Sequence, residues 1–187
     1  NMIAAYYSKG CDSHEAFSDL KISEDPSFEE NINKYTVIQL DMNDVVTNKE
    51  DNSVTEYINK EIVSELRKVY PSVLLADDTS LSKAIKEIYS STGDRFVFII
   101  DEYDVIIRDQ QYSSELSGYL SFLVSLFKNS IISPAIALAY LTGIMPIIKE
   151  KTQSKLNNFN EYTMLNAKDM APFMGFTEDE VKGLALK

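Results

Sequence analysis

Phe96-Val97-Phe98-Ile99-Ile100-Asp101-Glu102-Tyr103-Asp104 decides how the rest of this chain is read. The run from Phe96 to Ile100 is continuously apolar, rich in β-branched and aromatic residues, and does not alternate with polar ones. That pattern predicts a strand buried on both faces. Gly93 and Asp94 supply the turn that leads into it. Asp101 and Glu102 then fall at the carboxyl end of the strand, where open parallel α/β sheets place ligands. Adjacent carboxylates are costly to bury unless a metal, a cation or a proton compensates them. A ligand site is one reason for the pair; a solvated acidic turn closing a strand is the other.

Four or five apolar residues followed by Asp-Glu is the form of a Walker B motif. In that reading Asp101 holds the water shell of Mg²⁺ on a nucleotide, and Glu102 polarises the attacking water.

With 187 residues the chain suits one domain, and 44% hydrophobic with 25% charged residues is ordinary for a soluble globular protein. The single Cys11 cannot close an internal disulfide, which fits a reducing, cytoplasmic setting. No run reaches the roughly 20 apolar residues of a membrane span, and no secretory leader opens the sequence. A formal charge of −11 argues against a general nucleic-acid binder. It leaves a nucleotide site open, because such sites rely on backbone N–H groups and one or two cations.

Residues 1–9 read as the end of a helix, with Gly10 as its C-cap. Residues 11–28 read as a polar connection with a helix start at Asp12-Ser13-His14-Glu15. His14 is the only histidine and reads as a surface loop residue. Residues 35–41 form the first strand candidate, and residues 44–53 read as a loop. Val54, Ile58, Ile62, Leu66 and Val69 form one stripe of a helix ended by Pro71. A helix with Leu81, Ile85 and Ile88 buried precedes the central strand, and one with Leu116, Leu120, Leu123 and Phe127 buried follows it. Residues 135–141 form a third strand, and Tyr162–Leu165 a short fourth. Thr177 and Glu180 form a capping box for a last helix. Strands alternating with helices predict an α/β fold with a mainly parallel, doubly wound sheet.

Five stretches occur in series: Ile38-Gln39-Leu40-Asp41, Phe98 to Asp104, Leu141-Thr142-Gly143-Ile144-Met145-Pro146-Ile147, Ser154-Lys155-Leu156-Asn157-Asn158-Phe159, and Gly175-Phe176-Thr177-Glu178-Asp179-Glu180-Val181. Together they resemble the bacterial AAA-ATPase-like family, P-loop proteins often followed by a PD-(D/E)XK nuclease-like domain. The resemblance covers nearly the whole chain. It implies a three-layer P-loop NTPase-like core, with ATP and Mg²⁺ as cofactors of the full-length parent. It places Asp101 at the metal position, Glu102 at the catalytic-base position and Thr142 at the polar sensor position. Asn157, Asn158 and Lys149 become candidate nucleotide contacts.

The chain departs from the family pattern in three places. No Gly-x-x-x-x-Gly-Lys-[Ser/Thr] loop occurs among its six glycines. The chain therefore resembles a family member cut after its Walker A loop, a single domain fragment over 1–187 with a helical extension from about 172 to 187. As given, it is expected not to bind ATP usefully, since a Walker A loop supplies the N–H nest and Lys that hold the phosphates. The nuclease-like domain is also absent. Where some relatives read Ile-Lys-Lys-Tyr-Gly-Thr-Gln-Ser, this chain has Ile147-Ile148-Lys149-Glu150-Lys151-Thr152-Gln153-Ser154, keeping only Lys149 of the lysine pair.

Each candidate also has a plainer reading. Thr142 can be a small polar residue closing a strand, and Asn157 and Asn158 can be turn formers. Lys149 and Arg108 can be solvated, or either can meet a phosphate. Tyr103, Tyr6, Tyr7 and Phe17 can be packing aromatics. Three functions remain: an ATPase-type module lacking its phosphate loop, a non-catalytic regulatory or scaffold module of the same fold attached to a nuclease-like domain, and a nuclease accessory, which the charge disfavours. The resemblance also implies the strand order 36–41, 96–101, 135–141, then the missing Walker A strand. Ile136, Leu138 and Leu141 would then lie on an apolar edge with unpaired backbone groups. The N-terminal helix, the 162–165 strand or a second molecule could cover that edge, and self-association is the expected outcome.

Overall fold

In the computed structural model the described residues are 2–74, 79–145, 156, 158–163, 165–173 and 178–185. They fall in two compact units, Asn1–Leu156 and Asn157–Lys187. The first is an α/β unit built on a three-stranded parallel sheet of order β1-β2-β3: β1 Thr36–Asp41, β2 Phe96–Asp101 and β3 Ile136–Leu141. These three strands lie in the expected order, with β2 in the middle. Phe96, Val97 and Phe98 are fully buried and Ile99 and Ile100 nearly so, which is the double burial that the unbroken apolar run predicts.

The helices of this unit are α1 (Met2–Tyr7), α2 (His14–Ser18), α3 (Phe28–Asn31), α4 (Met42–Asn48), α5 (Val54–Val69), α6 (Leu81–Thr92), α7 (Val105–Arg108) and α8 (Leu116–Phe127). Ser53 caps α5 in a capping box with Glu56, and Ser80 caps α6. Gly93 ends α6 at φ 76, a left-handed conformation that glycine adopts without a Cβ penalty. The expected stripes hold at Val54, Ile58, Ile62 and Leu66 on α5, at Leu81, Ile85 and Ile88 on α6, and at Leu120, Leu123 and Phe127 on α8. Tyr6 and Phe17 pack edge-on at 5.3 Å in a satellite core with Phe28 and Ile32. His14 is exposed and meets Glu29 at 2.8 Å.

Several expectations are corrected. Residues 42–48 are a helix rather than a loop, because the Asp41 carboxylate caps it by accepting from the Asn43 N–H at 2.9 Å. Val69 has the spacing of the α5 stripe but, as the last residue of the helix, is exposed. The first helix stops at Tyr7, so Gly10 is not its C-cap. Thr163 and Asn166 form only an isolated bridge, so no strand runs over 162–165 among the described residues. In the second unit a 3₁₀ segment spans Lys168–Phe173 and α9 spans Glu178–Ala185; Thr177 lies outside the described residues.

Ser8, just after α1, bridges to Tyr35 at the start of β1, which puts this end of α1 on the β1 side of the sheet. Among the described residues, β2 is the only strand that pairs with β3, and Leu138 and Tyr140 are partly exposed. No described helix is long and apolar enough to cross a membrane.

Where β1 and β2 begin, Tyr70 gathers a polar clamp. Its hydroxyl meets Thr36 Oγ1 at 2.6 Å and donates to Asp94 at 2.8 Å, while Lys9 Nζ donates to the Tyr70 hydroxyl at 2.7 Å and pairs with Asp94. Burial pushes the Asp94 carboxyl up, but the hydrogen bonds from Lys9 and Tyr70 outweigh it and hold Asp94 below its ordinary value. A depressed carboxyl stabilises the fold above its unfolded value, and that contribution is lost as pH falls through the folded one. Melting temperature should therefore drop below about pH 4. Lys9→Met should lower it at neutral pH and shrink the difference between neutral and acid melts, read by thermal denaturation across pH.

Candidate functional site

The three parallel strands end together. Asp41 of β1 is in register with Asp101 of β2, and Ile100 pairs with Leu141 of β3. The ladder continues one step, with the Thr142 N–H donating to the Ile100 carbonyl at 2.9 Å and the Tyr103 N–H donating to the Thr142 carbonyl at 3.0 Å. Asp101, Glu102 and Thr142 therefore meet at the carboxyl edge of the sheet, where an open parallel sheet places ligands.

Asp101 is the first β2 residue to leave the core and is exposed. Its Oδ1 accepts from the Thr142 hydroxyl and from the Glu102 N–H, the latter at 3.1 Å. The predicted metal residue and the predicted sensor residue are thus hydrogen-bonded partners. Glu102 has φ 51, a left-handed backbone at a residue with a side chain. Such conformations cost of the order of 1–3 kcal/mol and cluster at functional sites. Its carboxylate pairs with the guanidinium of Arg108, the last residue of α7, at 2.5 Å. Arg108 is therefore a tethered cation, not a solvated one: the turn through Glu102 to Asp104 and the single turn of α7 bring the two together.

Tyr103 and Asp104 turn inward. Tyr103 is buried; its hydroxyl donates to the Met145 carbonyl, and its own carbonyl accepts from the Tyr119 hydroxyl of α8 at 2.9 Å. Burial, with Tyr103 and Asp104 nearby, pushes the Tyr119 phenol well above its ordinary value, so Tyr119 acts here as a neutral donor. Asp104 is fully buried, and its Oδ2 accepts from the N–H groups of Met145 at 2.8 Å and Ile144 at 3.3 Å. Arg108 Nη1 lies 3.9 Å from the same oxygen.

Lys149 and Asn157 lie outside the described residues, and Asn158 is an exposed residue of the Asn157–Lys187 unit. Sequence reasoning assigned no role to Asp104, Tyr119 or Gly143. Asp104 stands in the quoted motif and could have been suspected from its spacing. Tyr119 carries no signal beyond its place on a helix. Among the described residues no group of three or more His, Cys, Asp or Glu is arranged to hold a metal ion. An exposed carboxylate such as Asp101 suits a hard cation that keeps much of its water.

A family model described as "Predicted AAA-ATPase" matches residues 1–152, most of the chain and all of the strand-end residues above. The chain belongs to the AAA-ATPase-like family. Neither the curated proteins nor the solved structures contain a match. The match to this AAA-ATPase-like family ends within the 146–155 stretch, before the second unit begins.

Gly143 sits against the Asp104 side chain. A Cβ there would lie 2.5 Å from Asp104 Oδ1 and 2.8 and 2.9 Å from Tyr103 ring carbons. Neither neighbour is a loose side-chain end, since both are buried and hydrogen-bonded. Gly143→Ala should therefore destabilise the chain by about 1–3 kcal/mol, the range of overpacking changes. Denaturant unfolding measures it, with Gly118→Ala as the comparison: a Cβ there meets nothing and, in helix α8, should stabilise by about 0.5–1 kcal/mol.

Proposed function

We propose that this chain is the portion of an AAA-ATPase-like module that carries its Walker B and sensor regions, with ATP bound and hydrolysed only in a longer protein that also supplies the phosphate loop. The observation that carries this reading is the Asp101–Thr142 hydrogen bond at the carboxyl end of the buried central strand, directly beside Glu102. Membership of the AAA-ATPase-like family supports it. When bound with the nucleotide, Mg²⁺ would supply charge neutralisation at the phosphates. Asp101 presents an exposed carboxylate for the water shell, Thr142 fixes the orientation of that carboxylate, and Glu102 is the base that takes a proton from the attacking water. Thr142, Lys149, Asn157 and Asn158 are the proposed nucleotide contacts. The exposed, free Cys11 suits a cytoplasmic setting.

In the longer protein, Glu102→Gln should keep Mg-ATP binding and abolish hydrolysis, since it removes the base but leaves the shape and Asp101 intact. Hydrolysis at the parental rate would remove Glu102 from that role. Calorimetric titration of this chain alone should give no isotherm at tens of micromolar Mg-ATP.

One observation favours a second reading, a non-catalytic regulatory or scaffold module attached to a nuclease-like domain. The Glu102 carboxylate is engaged by the Arg108 guanidinium rather than free to meet a water. A Glu102→Gln variant indistinguishable from the parent in every assay would support that reading. The outer edge of β3 also suits weak self-association, because unpaired backbone groups at a sheet edge pair readily with another strand. Sedimentation across a concentration series should show a reversible larger species that Leu138→Lys removes; a strict monomer at all concentrations would exclude it.

A further inference from the structure

We infer that Asp104 is a positioning residue that clasps the loop after β3 against the turn after β2 and so holds Thr142 on Asp101; this rests on the ATPase reading proposed above. A fully buried carboxylate is expensive unless it is hydrogen-bonded and paired. Asp104 meets that cost only in part: Oδ2 takes the Ile144 and Met145 N–H groups and lies 3.9 Å from Arg108, while Oδ1 is buried and has no hydrogen-bond partner among the described residues. A turn could be closed more cheaply by a backbone carbonyl or a hydroxyl.

What the carboxylate gains is a fixed loop. Thr142 is joined to the β2 turn by its own amide and carbonyl, and Met145 by the Tyr103 hydroxyl and the Asp104 carboxylate. Gly143 lies between them, close enough that no Cβ fits beside Asp104 Oδ1. The loop is therefore held on both sides of Gly143, and the Thr142 hydroxyl is aimed at Asp101 rather than left to rotate with a mobile strand end. The same carboxylate stands beside Arg108, the cation that holds Glu102. Asp104 thus touches the settings of both proposed catalytic-site acids without reaching the ligand itself.

The test has two arms. In this chain, amide hydrogen exchange at Ile144 and Met145 should accelerate by about 100-fold in Asp104→Ala, as expected for two lost hydrogen bonds. Exchange at Phe98 and Ile99 should change far less. Asp104→Asn, which keeps an acceptor, should restore most of the protection. In the longer protein, Asp104→Ala should lower kcat by about 100-fold, the cost of roughly 1 Å of misplacement, with KM for Mg-ATP nearly unchanged, and Asp104→Asn should recover most of the turnover. If Asp104→Ala does not fold, Gly143→Ala displaces the same carboxylate and should give the same kcat loss at constant KM. Unchanged exchange at Ile144 and Met145 overturns the clasp. Faster exchange with unchanged kcat, or a loss confined to KM, overturns the positioning role. Turnover by the unmodified longer protein run alongside separates the two levels: if it does not hydrolyse Mg-ATP the ATPase reading fails and the positioning role with it, while the exchange arm alone decides the clasp.

Discussion

A strand buried on both faces commits every side chain along it to packing, so chemistry can begin only where the strand ends. β2 imposes that constraint here. Its apolar residues are held between β1 and β3 by parallel ladders and covered on both faces, and the first residue released is Asp101. The position of the acidic cluster follows from where the core stops. A one-residue slip in the ladder would carry Asp101 toward the interior, at the cost of an uncompensated charge. Register and site placement are thus set by the same burial.

Three carboxylates within four residues would repel one another if they shared one environment. They do not. Asp101 faces water and receives a hydroxyl and an amide; Glu102 turns on a left-handed backbone to meet Arg108; Asp104 goes inward to two backbone amides. The turn sorts them by direction, and the strained conformation at Glu102 is what points neighbouring acids to different sides. The charge near the sheet edge is spread over separate partners rather than left for one bound cation to offset.

Much of this was legible in the sequence because it is local or periodic. The β2 run and the α5 and α6 stripes follow from spacing and residue type. The misses are of another kind. Asp41 is a strand residue that also caps a helix, which turned a polar stretch expected to be a loop into α4. Val69 has the right spacing but, as the last residue of α5, is exposed. Arg108 finds Glu102, and Asp104 finds residues about forty positions away, through turns that no periodicity encodes. The resemblance named Asp101 and Thr142 as separate site candidates, but neither it nor their spacing spoke of the hydrogen bond between them.

The two ends of the sheet carry opposite kinds of polar network. At the start of β1 and β2, Lys9, Tyr70, Asp94 and Thr36 close on one another, with Lys9 and Asp94 facing each other as counter-charges. At the carboxyl end the network stays open: Asp101 is exposed, and one oxygen of Asp104 has no hydrogen-bond partner among the described residues. A closed network adds rigidity, while an open one at a strand terminus holds groups in place without using up their capacity to interact. The clamp can fix where β1 and β2 begin while the far end stays available for chemistry. β3 belongs to neither arrangement: Arg95 donates to the Pro134 and Ile136 carbonyls at its start, and the Asp104 loop holds its finish. Its outer backbone edge has no strand partner among the described residues. Among the described residues the strand that delivers Thr142 is thus anchored to the sheet through β2, so the orientation of the Thr142 hydroxyl depends on the bonds at the end of β2.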